Sequence, residues 1–305
     1  MKLSIVTTLY RSAPYVREFY ARAVSAAGQL TSDFEIIFVN DGSPDDAFAQ
    51  VLDLHQADPR VVGVDLSRNF GHYKAIMTGL AYARGELVFL IDSDLEEDPA
   101  LLADFAARMQ ASGCDVVYGV QRARKGGWFE RTSGAAFWWL FNRLSPVPLP
   151  ANLTTARLMT RRYVRSLLRF REREVFLAGL WALAGFEQVG VEIDKGSRGT
   201  STYTLRRKLS VLVNSITSFS NVPLVAIFQF GLLISAFAFA YIVFLVVKWF
   251  VQDVPVEGWT SVIASIWLLG GLIISFLGVI GIYLAKVFSE SKRRPYSIVR
   301  KVWRH

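Results

Sequence analysis

The chain has 305 residues, a formal charge of +8 and 52% hydrophobic residues, and its mean hydropathy of +0.31 is too high for an ordinary soluble protein. The single cysteine, Cys114, excludes a disulfide-stapled domain. The basic balance would suit either nucleic acid or an anionic membrane surface, but the sequence carries no recognition motif for nucleic acid. Composition therefore favours a protein that works partly in lipid and excludes a nucleic-acid partner.

The N-terminal part of the chain alternates short apolar runs with helical patterns. No signal peptide is expected, because Met1 and Lys2 lead directly into the strand-like run Leu3–Thr7. The strand candidates are Leu3–Thr8, Glu35–Asn40, Val61–Leu66, Glu86–Ile91 and Asp115–Gly119. The helix candidates are Ala13–Ala27, Asp45–Ala57, His72–Ala83 and Ala100–Ser112. This alternation predicts an α/β domain whose Rossmann-like, mostly parallel sheet is covered on both faces.

Polar residues follow the second predicted strand in the segment Asn40-Asp41-Gly42-Ser43. In a parallel α/β sheet, ligands bind beyond the carboxyl ends of the strands. Gly42 permits a tight turn there. Asp41 is therefore a candidate nucleoside contact, and the alternative is that it only caps the following helix.

An acidic segment follows the fourth predicted strand and begins with Asp92-Ser93-Asp94. Two carboxylates one residue apart suit Mg²⁺ or Mn²⁺ at a nucleotide site, where the phosphates supply the remaining oxygen ligands. Glu96 and Asp98 add further acidic groups. The segment predicts a site for a metal-bound diphosphate, and the alternative is an acidic loop that caps a helix.

Two long stretches carry no charged residue, 209–247 and 258–285. Each exceeds the roughly 20 residues that cross about 30 Å of hydrocarbon. A buried helix of a soluble protein is the alternative for either stretch taken alone. The pattern predicts four regions: a domain over 1–208, an interfacial amphipathic helix over 209–221, a transmembrane helical hairpin over 222–288, and a basic tail over 289–305. The alternative for 209–221 is the start of one long tilted span.

Basic residues cluster before and after the predicted hairpin, whereas the loop that connects its two helices has few. Arg206, Arg207 and Lys208 precede it, seven Lys or Arg residues follow the second uncharged stretch, and the connecting loop holds only Lys248. Because positive loops stay in the cytosol, both termini and the first domain are predicted to be cytosolic. This orientation predicts a multi-pass protein of the cytoplasmic membrane that contacts anionic lipid headgroups.

The sequence resembles a family of inverting glycosyltransferases with the GT-A fold, the bacterial polyprenyl-phosphate glycosyltransferases related to dolichyl-phosphate mannose synthase. The resemblance covers nearly the whole chain, including both predicted spans. It rests on the order and spacing of six blocks: Asn40–Ser43, Ser67–Gly71, Asp92–Pro99, Arg157–Met159, Arg198–Tyr203 and Ser218–Leu224.

The resemblance implies a role for particular residues of this chain. Nucleotide-sugar contacts are implied for Thr8, Leu9, Tyr10, Asp41 and Asp92. It further implies Asp94 as a direct ligand of Mg²⁺ or Mn²⁺, with Asp92 and Glu96 beside it; Asp92 and Asp94 would be the catalytic pair. The implied contacts to the acceptor phosphate are Arg122, Arg131, Ser133, Arg198 and Ser201. Arginine forks suit phosphate oxygens, although an exposed charged face is the alternative for Arg122 and Arg131.

Two departures from the family pattern affect this expectation. Thr8 and Ser12 stand where relatives usually carry Pro and Glu, which weakens any inference about base specificity. Thr155 stands where relatives commonly have an Asp that has been a candidate general base. A phosphate monoester has its second pKa near about 6 and is already largely anionic at neutral pH. Alignment and charge neutralisation then suffice without a protein base.

The expected function is transfer of a hexose-type sugar from a nucleotide sugar, with a UDP-linked donor favoured, to undecaprenyl phosphate for cell-envelope glycan or lipid modification at a bacterial inner membrane. A homo-oligomer, such as the tetramer of some relatives, is compatible with the resemblance. Two other classes stay open. A polysaccharide synthase normally needs a Gln-x-x-Arg-Trp segment and more spans, which are not found, and a non-enzymatic membrane partner would not need acidic and basic residues on one rim.

Overall fold

A computed structural model of the chain describes residues 1–122, 152–172, 176–194, 196, 222–252 and 258–305. These residues fall into two compact units. The first unit contains the described residues up to 196 together with 294–305, and the second contains 222–252 and 258–293. The first unit carries the sheet and all the candidate site residues that the structure describes.

The first unit is built on one mixed sheet with the strand order β7-β5-β6-β4-β1-β2-β3-β8. The strands are β1 (Leu3–Leu9), β2 (Phe34–Asn40), β3 (Val61–Leu66), β4 (Leu87–Leu90), β5 (Val116–Gln121), β6 (Leu153–Thr160), β7 (Gln188–Ile193) and β8 (Val299–Trp303). The four central neighbours, β4, β1, β2 and β3, run parallel. β6 and β8 are antiparallel to the strands beside them. The mostly parallel α/β sheet that the sequence predicts is confirmed.

Helices connect the strands and cover the sheet. In the first unit they are α1 (Val16–Gly28), α2 (Ala47–Ala57), α3 (His72–Tyr82), α4 (Leu101–Ser112), α5 (Arg161–Leu167) and α6 (Leu177–Leu183). Every residue of β1, β2 and β3 is buried, as expected for parallel strands covered on both faces. The five strands and four helices predicted from the sequence are all present, with boundaries shifted by one to three residues at most.

Three strands were not predicted from the sequence. β6 lies antiparallel between β4 and β5, and β7 pairs with β5 at one edge of the sheet. β8 comes from the segment that the sequence suggests is a basic tail, and it pairs antiparallel with β3 at the opposite edge. Charged residues are common on edge strands, where they discourage pairing with another chain. Arg300 and Lys301 give Val299–Trp303 this composition, so the segment looks like a basic tail in the sequence.

The second unit consists of α7 (Val222–Gln252) and α8 (Trp259–Ser291). Within the described residues, one segment, Leu268–Ser291 in α8, is long and apolar enough to cross a membrane, and none of its most apolar window is buried in protein. The apolar segment Val222–Ala238 in α7 is shorter. These features are compatible with membrane association, and the predicted span in α7 stays a prediction. The predicted interfacial helix over 209–221 lies outside the described residues.

Helix α3 packs against the sheet through Gly79, which has no side chain. A Cβ atom at this position would lie 2.6 Å from Cγ1 of Val6 and 2.8 Å from Cγ2 of Val39. Both valines are fully buried, so neither can move into open space. Gly79 therefore sets the distance between α3 and strands β1 and β2.

We expect Gly79→Ala to lower the free energy of unfolding by about 1–3 kcal/mol, the usual cost of overpacking a filled core. The thermal midpoint of the full-length protein in detergent measures the effect. Gly28→Ala is the matched control, because nothing lies within 4 Å of a Cβ atom at that helical position. A Gly79→Ala protein as stable as Gly28→Ala would contradict the close packing of α3.

Candidate functional site

The carboxyl ends of β4, β1, β2 and β3 meet at one edge of the sheet, which we call the rim. The polar residues that follow these strands include Tyr10 after β1, Asp41 after β2, Ser67 after β3 and Asp92 after β4. Because the four strands are neighbours and parallel, the segments expected to bind a nucleotide come together here. Tyr10 is about half exposed, whereas the side chain of Leu9 is fully buried. The side chain of Leu9 packs in the core, and the predicted contact of Leu9 with a nucleotide stays a prediction.

Asp41 has a different local role from the helix cap considered as the alternative. Helix α2 begins at Ala47, so Asp41 does not cap it. Its carboxylate instead accepts hydrogen bonds from the backbone amides of Phe70 (2.7 Å) and Gly71 (3.0 Å). Burial raises the pKa of Asp41 above its ordinary value, although these two amides work in the opposite direction. The side chain is 2% exposed and fixes the loop that follows β3.

Gly42 allows that loop to approach closely. Its φ of +61° lies in the left-handed region, which glycine adopts without strain. A Cβ atom here would lie 2.5 Å from the backbone nitrogen of Asn69 and 2.7 Å from the carbonyl carbon of Arg68. The Asp41 carboxylate thus connects the turn after β2 to the loop after β3, and the absence of a side chain at Gly42 leaves room for their close approach.

Ser93, between the two candidate metal ligands, joins the acidic segment to the loop after β1. Its hydroxyl is buried and donates to the carbonyl oxygen of Thr8 at 2.9 Å, and it lies 3.2 Å from the hydroxyl of Ser12. The Ser12 hydroxyl in turn accepts from the backbone amide of Tyr10 at 3.2 Å. Since Ser93 faces inward, Asp92 and Asp94 are left partly exposed on the rim.

His72, the first residue of α3, is a site residue that the sequence did not reveal. Its Nδ1 atom lies 3.1 Å from the Thr8 hydroxyl, and its Nε2 atom lies 3.5 Å from Oδ1 of Asp92. With the proton on Nε2, the ring can accept from Thr8 and present an N–H to Asp92. His72 therefore links two predicted nucleotide-binding residues, Thr8 and Asp92. A lone histidine in a loop-to-helix junction gives no local signal for this role.

The acidic segment turns sharply after Asp94. The amide of Glu96 donates to Oδ1 of Asp94 at 3.0 Å, and Leu95 adopts a positive φ of 60°. Among the described residues, no group of three or more His, Cys, Asp or Glu side chains could hold a metal ion by itself. The predicted ligands Asp92, Asp94 and Glu96 therefore do not form a closed protein cage. Their partly exposed oxygen donors fit a hard cation that takes its other ligands from a bound diphosphate.

Two backbone contacts fix the far end of the acidic segment. The amide of Gly196 donates to the carbonyl oxygen of Glu96 at 2.8 Å, and the amide of Ala156 in β6 donates to the Glu97 carboxylate at 2.8 Å. Gly196 lies two residues before Arg198 in the chain. Gly196, which precedes the predicted acceptor residue Arg198 in the sequence, therefore contacts the predicted metal loop.

A buried arginine lies next to this contact. Arg157 in β6 is 1% exposed, donates to the carbonyl oxygens of Thr154 and Thr155, and stacks over the ring of Trp181. Burial lowers the pKa of Arg157 to about 9, against an opposing effect of Tyr163 and Glu97. Thr155, which replaces the family Asp, contributes its backbone carbonyl to holding this guanidinium.

Of the predicted acceptor residues, the structure describes Arg122. Arg122, just after β5, is exposed and its Nε atom lies 3.2 Å from a carboxylate oxygen of Glu192 in β7. It therefore has an ion-pair partner here, and its contact with a phosphate stays a prediction. Arg131, Ser133, Arg198 and Ser201 lie outside the described residues.

Comparison with known proteins identifies relatives over the whole chain. Residues 4–168 match the family described as Glycosyl transferase family 2. A protein of Mycobacterium tuberculosis named as a glycosyltransferase is 51% identical over 303 residues, which cover 99% of this chain and 89% of the relative. The bactoprenol glucosyl transferase of Shigella phage SfV is 30% identical over 303 residues, which cover 98% of each chain.

The fold also matches solved structures. A mannosyltransferase from Pyrobaculum calidifontis, solved in complex with GDP-Man and Mn²⁺, superposes with a TM-score of 0.50 at 18% sequence identity. The match covers 70% of this chain and 62% of that one. At this identity the likeness concerns the fold alone.

We expect Ser93→Ala to weaken the rim without unfolding the protein. Removing the buried hydroxyl costs about 0.5–1.5 kcal/mol, and the loss should appear as a weaker affinity for the nucleotide expected at the rim, by about two- to tenfold. Calorimetric titration of the full-length protein with UDP and GDP in Mg²⁺ measures it. Ser112→Ala at the exposed end of α4, whose hydroxyl bonds only to the carbonyl of Arg108 in its own helix, is the control. Equal affinities in both variants would contradict the bridging role of Ser93.

Proposed function

The chain belongs to glycosyl transferase family 2 and is a glycosyltransferase that uses a nucleotide sugar donor, and from this premise we propose that it transfers a hexose-type sugar to polyprenyl phosphate. The proposed reaction takes place at the cytosolic face of a bacterial inner membrane. A UDP-linked sugar is the first donor to test. The relative named as a bactoprenol glucosyl transferase supports this acceptor, because it aligns along nearly its entire length.

One observation carries the proposal: the acidic segment after β4 contacts both the loop after β1, on the proposed donor side, and Gly196, which lies two residues before Arg198 in the sequence. Ser93 ties it to the loop after β1, and the Glu96 carbonyl accepts from Gly196. A transferase must hold a sugar donor and an acceptor nucleophile within bonding distance of each other. The arrangement supports transfer between two ligands that meet at Asp92–Glu96.

We propose Asp94 as the direct protein ligand of a Mg²⁺ or Mn²⁺ ion, with Asp92 and Glu96 beside it. When bound, the cation would neutralise the diphosphate and make it a better leaving group. The residues of the chain would orient the cation and the diphosphate. Nε2 of His72 lies 3.5 Å from Asp92, and the amide of Glu96 donates to Asp94, so each carboxylate has a protein group beside it on the rim.

The acceptor phosphate supplies its own nucleophile. Its second pKa is near about 6, so an anionic oxygen is available at neutral pH. In the proposed step this oxygen forms a bond to the anomeric carbon while the bond from that carbon to the diphosphate breaks, which inverts the configuration. No proton needs to be removed, and Thr155 is therefore not required to act as a base. The proposed phosphate contacts are Arg122, Arg131, Ser133, Arg198 and Ser201.

The second unit, α7 and α8, accounts for where the acceptor would bind in the proposal. We propose that α7 and α8 both span the bilayer, with the loop between them on the periplasmic side and both termini in the cytosol. Apolar side chains on both helices are exposed, for example Phe237 and Ile274, and they need a hydrocarbon environment rather than water. A polyprenyl chain can then stay in the bilayer while its phosphate meets a soluble donor.

The proposal predicts a lipid-soluble product. Purified protein in lipid nanodiscs, supplied with undecaprenyl phosphate and labelled UDP-glucose, UDP-N-acetylglucosamine or GDP-mannose, should move label from one donor into the organic phase. Thr155→Ala should retain activity within a few-fold, because no proton transfer depends on it. Label that enters a water-soluble polymer instead, or a Thr155→Ala enzyme that is inactive although folded, would contradict the proposed acceptor chemistry.

The metal assignment predicts that Asp94→Ala lowers turnover by about a hundredfold or more, the usual effect of removing one charge-stabilising group from the site of reaction. Its binding of Mn²⁺ in the presence of nucleotide, followed by electron paramagnetic resonance, should weaken in parallel. Asp98→Ala is the matched control, since Asp98 is exposed and paired with Arg22. Full activity in EDTA, or equal Mn²⁺ binding by the two variants, would refute the assignment.

A further inference from the structure

The C-terminal segment returns to the catalytic unit after helix α8. Strand β8 pairs antiparallel with β3, with Gly63 opposite Trp303 and Asp65 opposite Lys301. This places the last residues of the chain on the strand whose carboxyl end leads into the loop 67–71. Two backbone amides of that loop donate hydrogen bonds to the Asp41 carboxylate.

The segment holds the start of this loop through both backbone groups of one residue, Ser67. The amide of Ser67 donates to the carbonyl oxygen of Ile298 at 2.9 Å, and the Arg300 guanidinium donates to the carbonyl oxygen of Ser67 at 2.8 Å. Ser67 precedes Phe70 by three residues. Both backbone hydrogen-bonding groups of Ser67 are therefore satisfied by the C-terminal segment.

Arg300 is also connected to the turn after β2, through Asp65 and Asn40. Its Nη1 atom lies 3.4 Å from Oδ2 of Asp65, and the other oxygen of Asp65 accepts from the Asn40 side chain at 2.7 Å. The Asn40 side-chain oxygen then accepts from the amide of Ser43 at 3.0 Å. Asn40 and Asp65 are both buried, so this chain of contacts is shielded from water where it meets the turn that carries Asp41.

A third contact reaches helix α3. The hydroxyls of Ser297 and Thr78 are 2.7 Å apart, and Thr78 also donates to the carbonyl oxygen of Lys74 in the first turn of the helix. The same helix begins with His72, which lies beside Asp92. The C-terminal segment thus touches the loop, the turn and the helix that together shape the rim.

We propose that Arg300 is a positioning residue for the nucleotide-sugar site, although it follows the proposed membrane helices in the chain. The inference rests on the proposed function, since the ligand it positions is the donor of that reaction. An edge strand that only protected the sheet would need the β8 ladder but not the two guanidinium contacts. Arg300 is exposed on its outer side, so the expected effect is moderate.

The test compares Arg300→Gln with Lys301→Gln, the next residue of the same strand, whose amine lies over the Trp303 ring rather than against the loop. In the full-length protein, Arg300→Gln should raise the KM for the nucleotide sugar and the dissociation constant of the free nucleotide by about three- to tenfold. The KM for the lipid acceptor should stay unchanged. Amide hydrogen exchange of the peptide that covers 67–73 should become faster in Arg300→Gln and not in Lys301→Gln.

Arg300→Lys separates positioning from stability. Lysine keeps the charge but lacks the planar fork that serves Ser67 and Asp65 together, so it should give an intermediate nucleotide affinity at an unchanged thermal midpoint. Nucleotide affinity equal to wild type in both Arg300 variants overturns the proposal, as does a loss that follows the thermal midpoint in all three variants. Because the nucleotide titration does not need turnover, failure of the lipid assay would overturn the proposed acceptor and leave this result readable.

Discussion

The rim depends on how backbone groups are satisfied where a parallel sheet ends. Beyond β1, β2 and β3 the ladder stops, and buried amides and carbonyls need other partners. The carboxylate of Asp41 accepts hydrogen bonds from the amides of Phe70 and Gly71. The hydroxyl of Ser93 donates a hydrogen bond to the carbonyl oxygen of Thr8. These side chains replace the missing ladder, and they leave the loops of the site in one arrangement.

Burial of charge adds a second constraint on the other side of the acidic segment. Arg157 is buried beneath the site, and a buried guanidinium is costly unless it is paired and hydrogen-bonded. Backbone carbonyls of β6 and the ring of Trp181 surround it, while the nearby Glu97 fixes the acidic segment to Ala156. Glu97 thereby connects the acidic segment to β6, the strand that carries Arg157.

The two units differ in the side chains that they expose. In the first, polar side chains fix the loops around a sheet whose strands β1, β2 and β3 are fully buried, whereas the described helices of the second expose apolar side chains. The C-terminal strand belongs to the first unit although helix α8 precedes it in the chain. The chain thus leaves the first unit, passes through two apolar helices and returns to complete the sheet.

The sequence by itself determined the elements whose signal is local. Unbroken apolar runs predict β1–β5, the helical patterns predict α1–α4, and the Asp-Ser-Asp segment after an apolar run identifies the acidic part of the rim. Only the tertiary structure decided the rest. β8 meets β3 across more than two hundred residues, and the partners of Asp41, His72 and Arg300 come from other loops. No local pattern encodes such contacts, because each depends on which strand ends become neighbours once the sheet has formed.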